Sequence, residues 1–450
     1  MTPVLTGLLW FNINEVIYEY DRIVSAYTHI NPNDDTNVFP TYLVKNGKIG
    51  VPFGNKDKIK DIIKFDTYID KRIAIPFSEP KVSKLKLRDY QETAMKEIKS
   101  LIAKGVTEFN LAGKPGSGKS FMLSNMLAEL GLKTLIIANQ KMLITQLQAE
   151  IEHTLGCKAN VLNAKNTVLG DINVATSQFI SQNPNVWYQI KEQVSVLVLD
   201  EAESLASPTV TKIFQRSPAK YKIYISATFS RSVDKRTNAL TDFAGHHKVV
   251  LESTGNIIPT IIRVQCPEIF VPPMDKQLYM RAKSRFFKQL TIFDKIDAVV
   301  KYSVNKNRQV LIGTDIIEMQ MTILERLTKI GIKTAILNSS TKEKDRLDIL
   351  DAYDSGEIQV IIGFAVLNAG LSVPKIQTIL RVSTPSSIEK LEQFIGRGVR
   401  SFEGKEGCFV VDFTFQGFNN KSRNTLYSLK NRTEGWKVYS TTWEKFSKQL

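Results

Sequence analysis

The chain has 450 residues, a formal net charge of +15 and a sequence pI near 9.4, values that suggest roughly three domains of ~150 residues and a polyanionic partner, nucleic acid above all. Its three cysteines, Cys157, Cys266 and Cys408, lie far apart without Cys-x-x-Cys or Cys/His spacing, which argues against a structural zinc and for a reducing compartment. No apolar run approaches the ~20 residues of a membrane span, and Met1 to Phe11 lacks the basic start and long apolar core of a signal peptide, so a cytoplasmic protein is expected.

The first ~80 residues hold strand-like pieces at Thr41–Val44 and Ile73–Ile75, a polar turn at Asn31–Asp35 and a Lys-rich stretch at Lys56–Lys60, and read as a small α+β accessory domain. From about Leu85 to Val250, short β-branched runs alternate with helical patterns. Glu108–Ala112, Thr134–Ala138, Ile172–Thr176, Val196–Asp200 and Lys222–Ser226 are the expected strands of a parallel α/β sheet, whose ligands bind at the carboxyl ends of the strands. A second series follows at Arg308–Gly313, Lys333–Leu337, Gln359–Gly363, Thr378–Val382 and Cys408–Asp412. The segment Ile257–Ile296 joins the two series and carries Pro259, Pro267, Pro272 and Pro273, which puts the boundary near Ile258. The expected domains are therefore 1–83, 84–257 and 258–450, the last with a basic tail. That tail, Gln416–Leu450, mixes lysines and arginines with aromatics. Such a pattern suits either a grip on a nucleic-acid strand or an amphipathic helix packed on the second lobe.

Chemistry enters between the first strand and the helix expected at Phe121–Leu130. Gly113-Lys114-Pro115-Gly116-Ser117-Gly118-Lys119-Ser120 fits G-x-x-x-x-G-K-[ST], the loop whose backbone N–H groups cradle the phosphates of a nucleotide. Gly113, Gly116 and Gly118 let the backbone wrap the phosphates, Lys119 reaches the β/γ-phosphates, and the Ser120 hydroxyl can ligate Mg²⁺. Asp200-Glu201 ends a later apolar strand, where Asp200 is expected at the metal and Glu201 at the attacking water as general base. Ser226-Ala227-Thr228 ends the next strand. In the second series, Gln393-Phe394-Ile395-Gly396-Arg397-Gly398-Val399-Arg400 places Arg397 and Arg400 in a glycine-containing turn, which suits a γ-phosphate that redistributes charge in the transition state.

Taken in this order, the motifs resemble those of the superfamily 2 helicases over residues from about 85 to 415. The resemblance implies two tandem RecA-like parallel-sheet lobes behind the accessory domain, ATP and Mg²⁺ as cofactors, and a cleft between the lobes where ATP turns over. It implies adenine reading by Arg88 and Gln91, and backbone contacts to the nucleic acid from Asn139, Gln140 and Lys141, from Thr176, Ser177 and Gln178, and from Thr314, Asn368 and Gly370. Lys119, Asp200, Glu201, Gln393, Arg397 and Arg400 would carry the hydrolysis, with Ser226, Ala227 and Thr228 coupling it to movement. Two positions depart from the family pattern. Glu203 stands fourth in motif II where His or Asp is usual, which puts the link to motif III in doubt, and Gly363 stands in motif V where Thr or Ser is common. The compact layout is similar to the branch-migrating helicases of tailed phages, of the UvsW type and akin to RecG. The implied function is an ATP-driven DNA helicase or translocase, a monomer acting on forked or branched duplex and single strands, with an RNA helicase or an ATP-switched motor subunit as alternatives. Residues 1–83 are then expected to recognise the junction through Lys45, Lys48, Lys56, Lys58, Lys60 and Lys64, separably from ATP turnover.

Overall fold

The computed structural model describes residues 1–31, 34–114, 116–139, 141–226, 237–252, 257–338, 340–363, 375–382, 394–396, 398–399, 405–417 and 436–450. Contacts divide the chain into two units, Met1–Ser253 and Thr254–Leu450.

Unit one begins with a small sheet in the order Leu43–Lys45, Lys48–Val51, Leu9–Asn12, Val4–Leu5, Ile69–Asp70. Its tightest turn is written in the sequence. Lys45-Asn46-Gly47-Lys48 places Asn46 and Gly47 at φ 51° and 68°, the two successive positive values that a two-residue hairpin turn requires and that Asn-Gly tolerates best. The helices Tyr20–Ala26 and Lys56–Ile62 close over this sheet, burying Leu5, Leu9, Phe11, Ile23, Ile49, Val51 and Ile59. Two expectations change here. The piece expected at Thr41–Val44 lies at Leu43–Lys45, and Ile73–Ile75 is no strand of this domain. Ile73 makes an isolated parallel bridge with Ala219, while the Ile75 amide donates to Ser195 Oγ and its carbonyl accepts from the Lys133 amide. The polar turn includes residues 32–33, outside the described residues; its flanks, Thr28–Asn31 and Asp34–Pro40, pair as an antiparallel hairpin.

The larger sheet of unit one has seven parallel strands in the order Asn160–Val161, Ile172–Thr176, Thr134–Ala138, Val196–Asp200, Tyr221–Ser226, Glu108–Gly113, Lys248–Leu251. The five runs expected from the sequence form its interior, and the two shortest strands were added at its margins. Because side chains alternate between faces, Leu111, Ile136, Val174 and Val198 pack against the helices Asp89–Ala103, Lys119–Leu130 and Lys141–Leu155. Leu135, Ile137, Leu197, Leu199 and Tyr224 fill the other face.

That second face is shared with the small domain. Leu8 and Phe39 sit in the same core cluster as Leu197, Phe214 and Phe243. Gly7 and Gly54 approach the carbonyl oxygens of Gln215 and Phe243 so closely that neither has room for a Cβ. Polar side chains seal the seam. Lys222, 1% exposed, donates to the Gly7 carbonyl at 2.5 Å. Asp242, also 1% exposed, receives Lys58 Nζ at 2.5 Å and Thr41 Oγ1 at 2.6 Å and lies 2.7 Å from His29 Nε2. Lys58 is thereby withdrawn from the expected set of phosphate-gripping lysines, and the small domain is built into lobe one rather than attached to it.

Unit two repeats the seven-stranded parallel design in the order Thr334–Ile336, Val360–Ile362, Gln309–Gly313, Ile376–Arg381, Phe409–Gln416, Thr260–Ile269, Lys437–Thr442. Thr260–Ile269, expected as linker on its prolines, is a strand. Pro259 precedes it, and Pro267 falls where the pairing with Phe409–Gln416 slips between Gln265 and Ile269, so neither ring removes a needed ladder donor. The end of the tail is an edge strand, Lys437–Thr442, followed by the short helix Trp443–Ser447, with Phe446 in the core and Trp443 against it. The rest of the tail, residues 418–435, lies outside the described residues. No helix among the described residues is long and apolar enough to cross a membrane.

Candidate active site

The strand Glu108–Gly113 is buried along its whole length and ends in the phosphate loop, from which the helix Lys119–Leu130 departs. Gly116 and Gly118 take φ of 83° and 77°, left-handed values that cost an L side chain about 1–2 kcal/mol. Space decides the other glycine position: a Cβ on Gly113 would collide with Ser117 Oγ and come within 3.1 Å of Leu251 Cβ. The Lys119 ammonium donates to the carbonyls of Gly113 at 2.7 Å and Lys114 at 3.3 Å, so its charge is held over the loop. Ser117 Oγ is buried and makes no hydrogen bond among the described residues. Ser120 is half-buried on the first turn of the helix.

The loop is braced from behind by a pair of residues on the helix Asp89–Ala103. Gln91, 3% exposed, accepts from the Arg88 amide through Oε1 at 3.1 Å, and its Nε2 lies 2.6 Å from where a Gly118 Cβ would stand. Tyr90 donates its hydroxyl to the Ser117 carbonyl at 3.1 Å. Gln91 is thus placed against the phosphate loop, and Tyr90, which sequence reading passed over although it adjoins Gln91, fixes the loop's backbone.

Across the carboxyl edge of this sheet, the strand ends present Thr176, then Asn139 after Ala138, then Asp200, Ser226 and Gly113, in that order. Asp200 accepts from the Glu201 amide at 3.1 Å. Burial pushes its carboxyl above the ordinary value, against the opposing pull of Lys119 and of that amide. Glu201 takes a left-handed φ of 58°. The other two non-glycine residues with positive φ among the described residues are asparagines, which tolerate it; a glutamate there holds strain of the kind that gathers at functional sites. Glu203 accepts a hydrogen bond from Ser226 Oγ at 2.6 Å, and burial raises its carboxyl too. Glu203, whose departure from the family pattern put the link to motif III in doubt, thus contacts Ser226, the first residue of that motif, directly.

At the far end of the same edge, Ser177 Oγ donates to Asn139 Oδ1 at 3.1 Å, bringing together two residues expected at the nucleic acid. Thr176 spends its hydroxyl as the cap of the helix Ser177–Gln182, accepting from the Phe179 amide at 3.0 Å, and Gln178 is exposed. In unit two, Thr314 is fully buried; its hydroxyl accepts from the Ile316 amide at 3.3 Å and donates to Met319 Sδ at 3.6 Å. Its buried side chain thus packs inside the lobe. Gln140, Ala227, Thr228, Asn368, Gly370, Gln393, Arg397 and Arg400 lie outside the described residues, as does the side chain of Lys141.

The chemistry fits a nucleotide with Mg²⁺. Among the described residues no group of three or more His, Cys, Asp or Glu stands ready for a metal. Mg²⁺ asks for less, because it keeps most of its waters and takes one or two carboxylates plus phosphate oxygens. Asp200, whose charge is disfavoured by burial, and the Ser120 hydroxyl would supply such a set. One consequence is measurable without nucleotide. An acid whose folded pKa is raised stabilises the fold while protonated, below the unfolded value of 3.8, and that contribution is lost as pH rises through the folded value. Asp200→Asn is expected to melt above the parent at neutral pH, with the difference shrinking as pH falls towards 3.8, while ATP turnover is lost. Calorimetry across pH checks this; a lower melting temperature at pH 7 would contradict it.

Comparison with known proteins finds helicase families and helicase relatives. The family described as "Type III restriction enzyme, res subunit" matches residues 84–231, and the "Helicase conserved C-terminal domain" matches residues 293–401. The chain is 25% identical over 453 residues to the protein named Probable helicase D10 of Escherichia phage T5, covering 99% of this chain and 97% of that one. It is 24% identical over 361 residues to the protein named Putative ATP-dependent helicase IRC3 of Saccharomyces cerevisiae, covering 73% of this chain and 51% of that protein. In fold it is similar to Saccharomyces cerevisiae Dbp5 bound to RNA and ADP BeF3, with a TM-score of 0.58 at 15% identity over 81% of this chain and 93% of that one.

Proposed function

We propose that this chain, a superfamily 2 helicase that hydrolyses ATP, is a DNA translocase that separates or migrates the strands of forks and four-way junctions in the cytoplasm of a phage-infected cell. The observation that carries the reading is the continuous carboxyl edge of lobe one. Nucleotide chemistry occupies one end of it, at Gly113, Lys119, Ser120 and Asp200, and the Asn139–Ser177 pair occupies the other. The Glu203–Ser226 hydrogen bond ties neighbouring strand ends within the nucleotide group, between Asp200 and Gly113. In this reading Lys119 neutralises the β/γ-phosphates and Asp200 holds Mg²⁺, which screens phosphate charge when bound. Glu201 takes the proton of the attacking water, and Arg397 and Arg400 stabilise the γ-phosphate as charge shifts. Phosphate contacts dominate the affinity for the strand, because a motor that moves along a sequence cannot depend on base identity.

DNA is favoured over RNA by Asp200-Glu201-Ala202-Glu203, which reads neither Asp-Glu-Ala-Asp nor Asp-Glu-Ala-His. Comparing the stimulation of ATP turnover by single-stranded DNA and RNA of matched sequence tests it. Stronger stimulation by DNA is expected; stimulation by RNA alone would overturn the choice.

The Glu203–Ser226 contact makes its own prediction. Ser226→Ala leaves the Glu203 carboxylate short of a buried donor, at a cost of about 1–3 kcal/mol, and cuts the link between motifs. The variant is expected to melt lower than the parent and to hydrolyse more ATP per strand displaced. An unchanged ratio of hydrolysis to displacement would remove the coupling role.

A further inference from the structure

The phosphate loop contains one peptide unit whose direction the loop's own sequence leaves open. Gly118 stands at φ 77°, and glycine takes either sign of φ at little cost. The planar Ser117–Gly118 unit can therefore turn about its two flanking bonds, reversing the Ser117 carbonyl and the Gly118 N–H together. Among the described residues, nothing within the loop holds it. The Ser117 amide, which donates to the Lys114 carbonyl at 3.1 Å, belongs to the preceding unit, and the Lys119 ammonium holds the Gly113 and Lys114 carbonyls. The buried Ser117 hydroxyl makes no hydrogen bond. The direction matters because the carbonyl and the N–H of a trans unit point opposite ways, so a partner that fixes the carbonyl also aims the donor.

That partner comes from the helix Asp89–Ala103. Ala94, Met95 and Ile98 bury its inner stripe in the core of lobe one. Tyr90 lies on the same stripe one turn before Ala94 and packs against that core. The turn that carries it is fixed, since Gln91 Oε1 accepts from the Arg88 amide at 3.1 Å and the Gln91 amide donates to the Arg88 carbonyl at 2.8 Å. From there the Tyr90 hydroxyl donates to the Ser117 carbonyl at 3.1 Å. Gln91 Nε2 fills the space beside Gly118, 2.6 Å from where a Cβ would stand. With the carbonyl drawn toward Tyr90, the Gly118 N–H points away from that helix. It donates to no acceptor among the described residues, which leaves it for a phosphate oxygen.

We infer that Tyr90 is a positioning residue for the nucleotide phosphates: by holding the Ser117 carbonyl, its hydroxyl selects the orientation in which the Gly118 N–H meets them. The inference rests on the nucleotide-site reading of the loop and extends it to a residue outside the G-x-x-x-x-G-K-[ST] run. Tyr90→Phe in the full chain keeps the ring in the core and removes only the donor. Its affinity for a fluorescent ADP is expected to fall about 2- to 10-fold, the worth of one net hydrogen bond. Competition against that ADP separates phosphate from base. Inorganic pyrophosphate is expected to bind the variant more weakly by a similar factor, and adenosine to bind it as it binds the parent. In steady state the KM for ATP is expected to rise by that factor with little change in kcat, because the N–H meets phosphate in ground and transition states alike. Unchanged affinities for ADP and pyrophosphate, even in a variant that melts lower, would overturn the positioning role and leave Tyr90 a packing residue. An equal loss for adenosine would overturn it too, by placing Tyr90 at the base. A parent chain that binds neither ADP nor pyrophosphate would instead overturn the nucleotide-site reading itself.

Discussion

Lys119→Ala is expected to lower ATP turnover by at least about 100-fold, the usual consequence of removing one preorganised charge from a transition state, while the protein melts close to the parent temperature. The structure separates the two effects. Lys119 is half-buried, and the two carbonyls that its ammonium holds belong to the loop itself, at 2.7 and 3.3 Å. The loop keeps its shape by other means, namely the positive φ of Gly116 and Gly118, the packing of Gln91 behind Gly118 and the Tyr90 hydroxyl on the Ser117 carbonyl. Those remain in the variant. A turnover within a few-fold of the parent would remove Lys119 from the phosphates, whereas a collapse in melting temperature would mean that the lysine holds the loop together.

The second large effect concerns the first 80 residues. A chain beginning at Lys81 is expected to lose cooperative unfolding and, with it, ATP turnover. Removing the small domain strips Leu8 and Phe39 from the core they share with Leu197, Phe214 and Phe243. It also leaves Lys222 and Asp242, each 1% exposed, without the Gly7 carbonyl and without Lys58, Thr41 and His29. Breaking the buried Lys58–Asp242 ion pair costs about 3–5 kcal/mol and the lost Lys222–Gly7 hydrogen bond about 1–3 kcal/mol; added to the lost core, these approach the whole stability of about 5–15 kcal/mol that a domain possesses. The milder variant Asp242→Asn, which keeps its shape but not its charge, is expected to lower the melting temperature without abolishing the fold. A shortened chain that melts sharply near the parent temperature and still hydrolyses ATP would show the small domain to be dispensable to lobe one, and would return it to the separable role that its composition suggested.

The difference between those two pictures shows what a sequence can and cannot disclose here. The phosphate loop and the parallel strands around it are local facts: a G-x-x-x-x-G-K-S run, and β-branched runs such as Val196–Asp200 that are buried on both faces. Thr260–Ile269 escaped because prolines mark breaks by default, and only the register slip beside Pro267 shows how the sheet absorbs one. Lys437–Thr442 escaped because an edge strand of charged and hydroxyl residues has the composition of a tail. The union of the small domain with lobe one was hidden for a different reason. It depends on Gly7 and Gly54 meeting backbone carbonyls more than 150 positions away, and on a lysine of the Lys-rich stretch turning inward to Asp242. Glu203 is a similar case: by family pattern it is an irregularity, and only its position 2.6 Å from Ser226 Oγ makes it a link.

The central claim, an ATP-driven motor that parts DNA strands, is tested most directly by strand displacement from a forked DNA duplex by the full chain. Release of the labelled strand is expected with ATP and Mg²⁺ and not with a non-hydrolysable analogue. Glu201→Gln is expected to retain ATP and release no strand, because metal ligation by Asp200 survives while the general base is lost. Robust DNA-stimulated ATP hydrolysis with no strand released from forks or four-way junctions would contradict the claim and leave an ATP-switched DNA-binding subunit in its place.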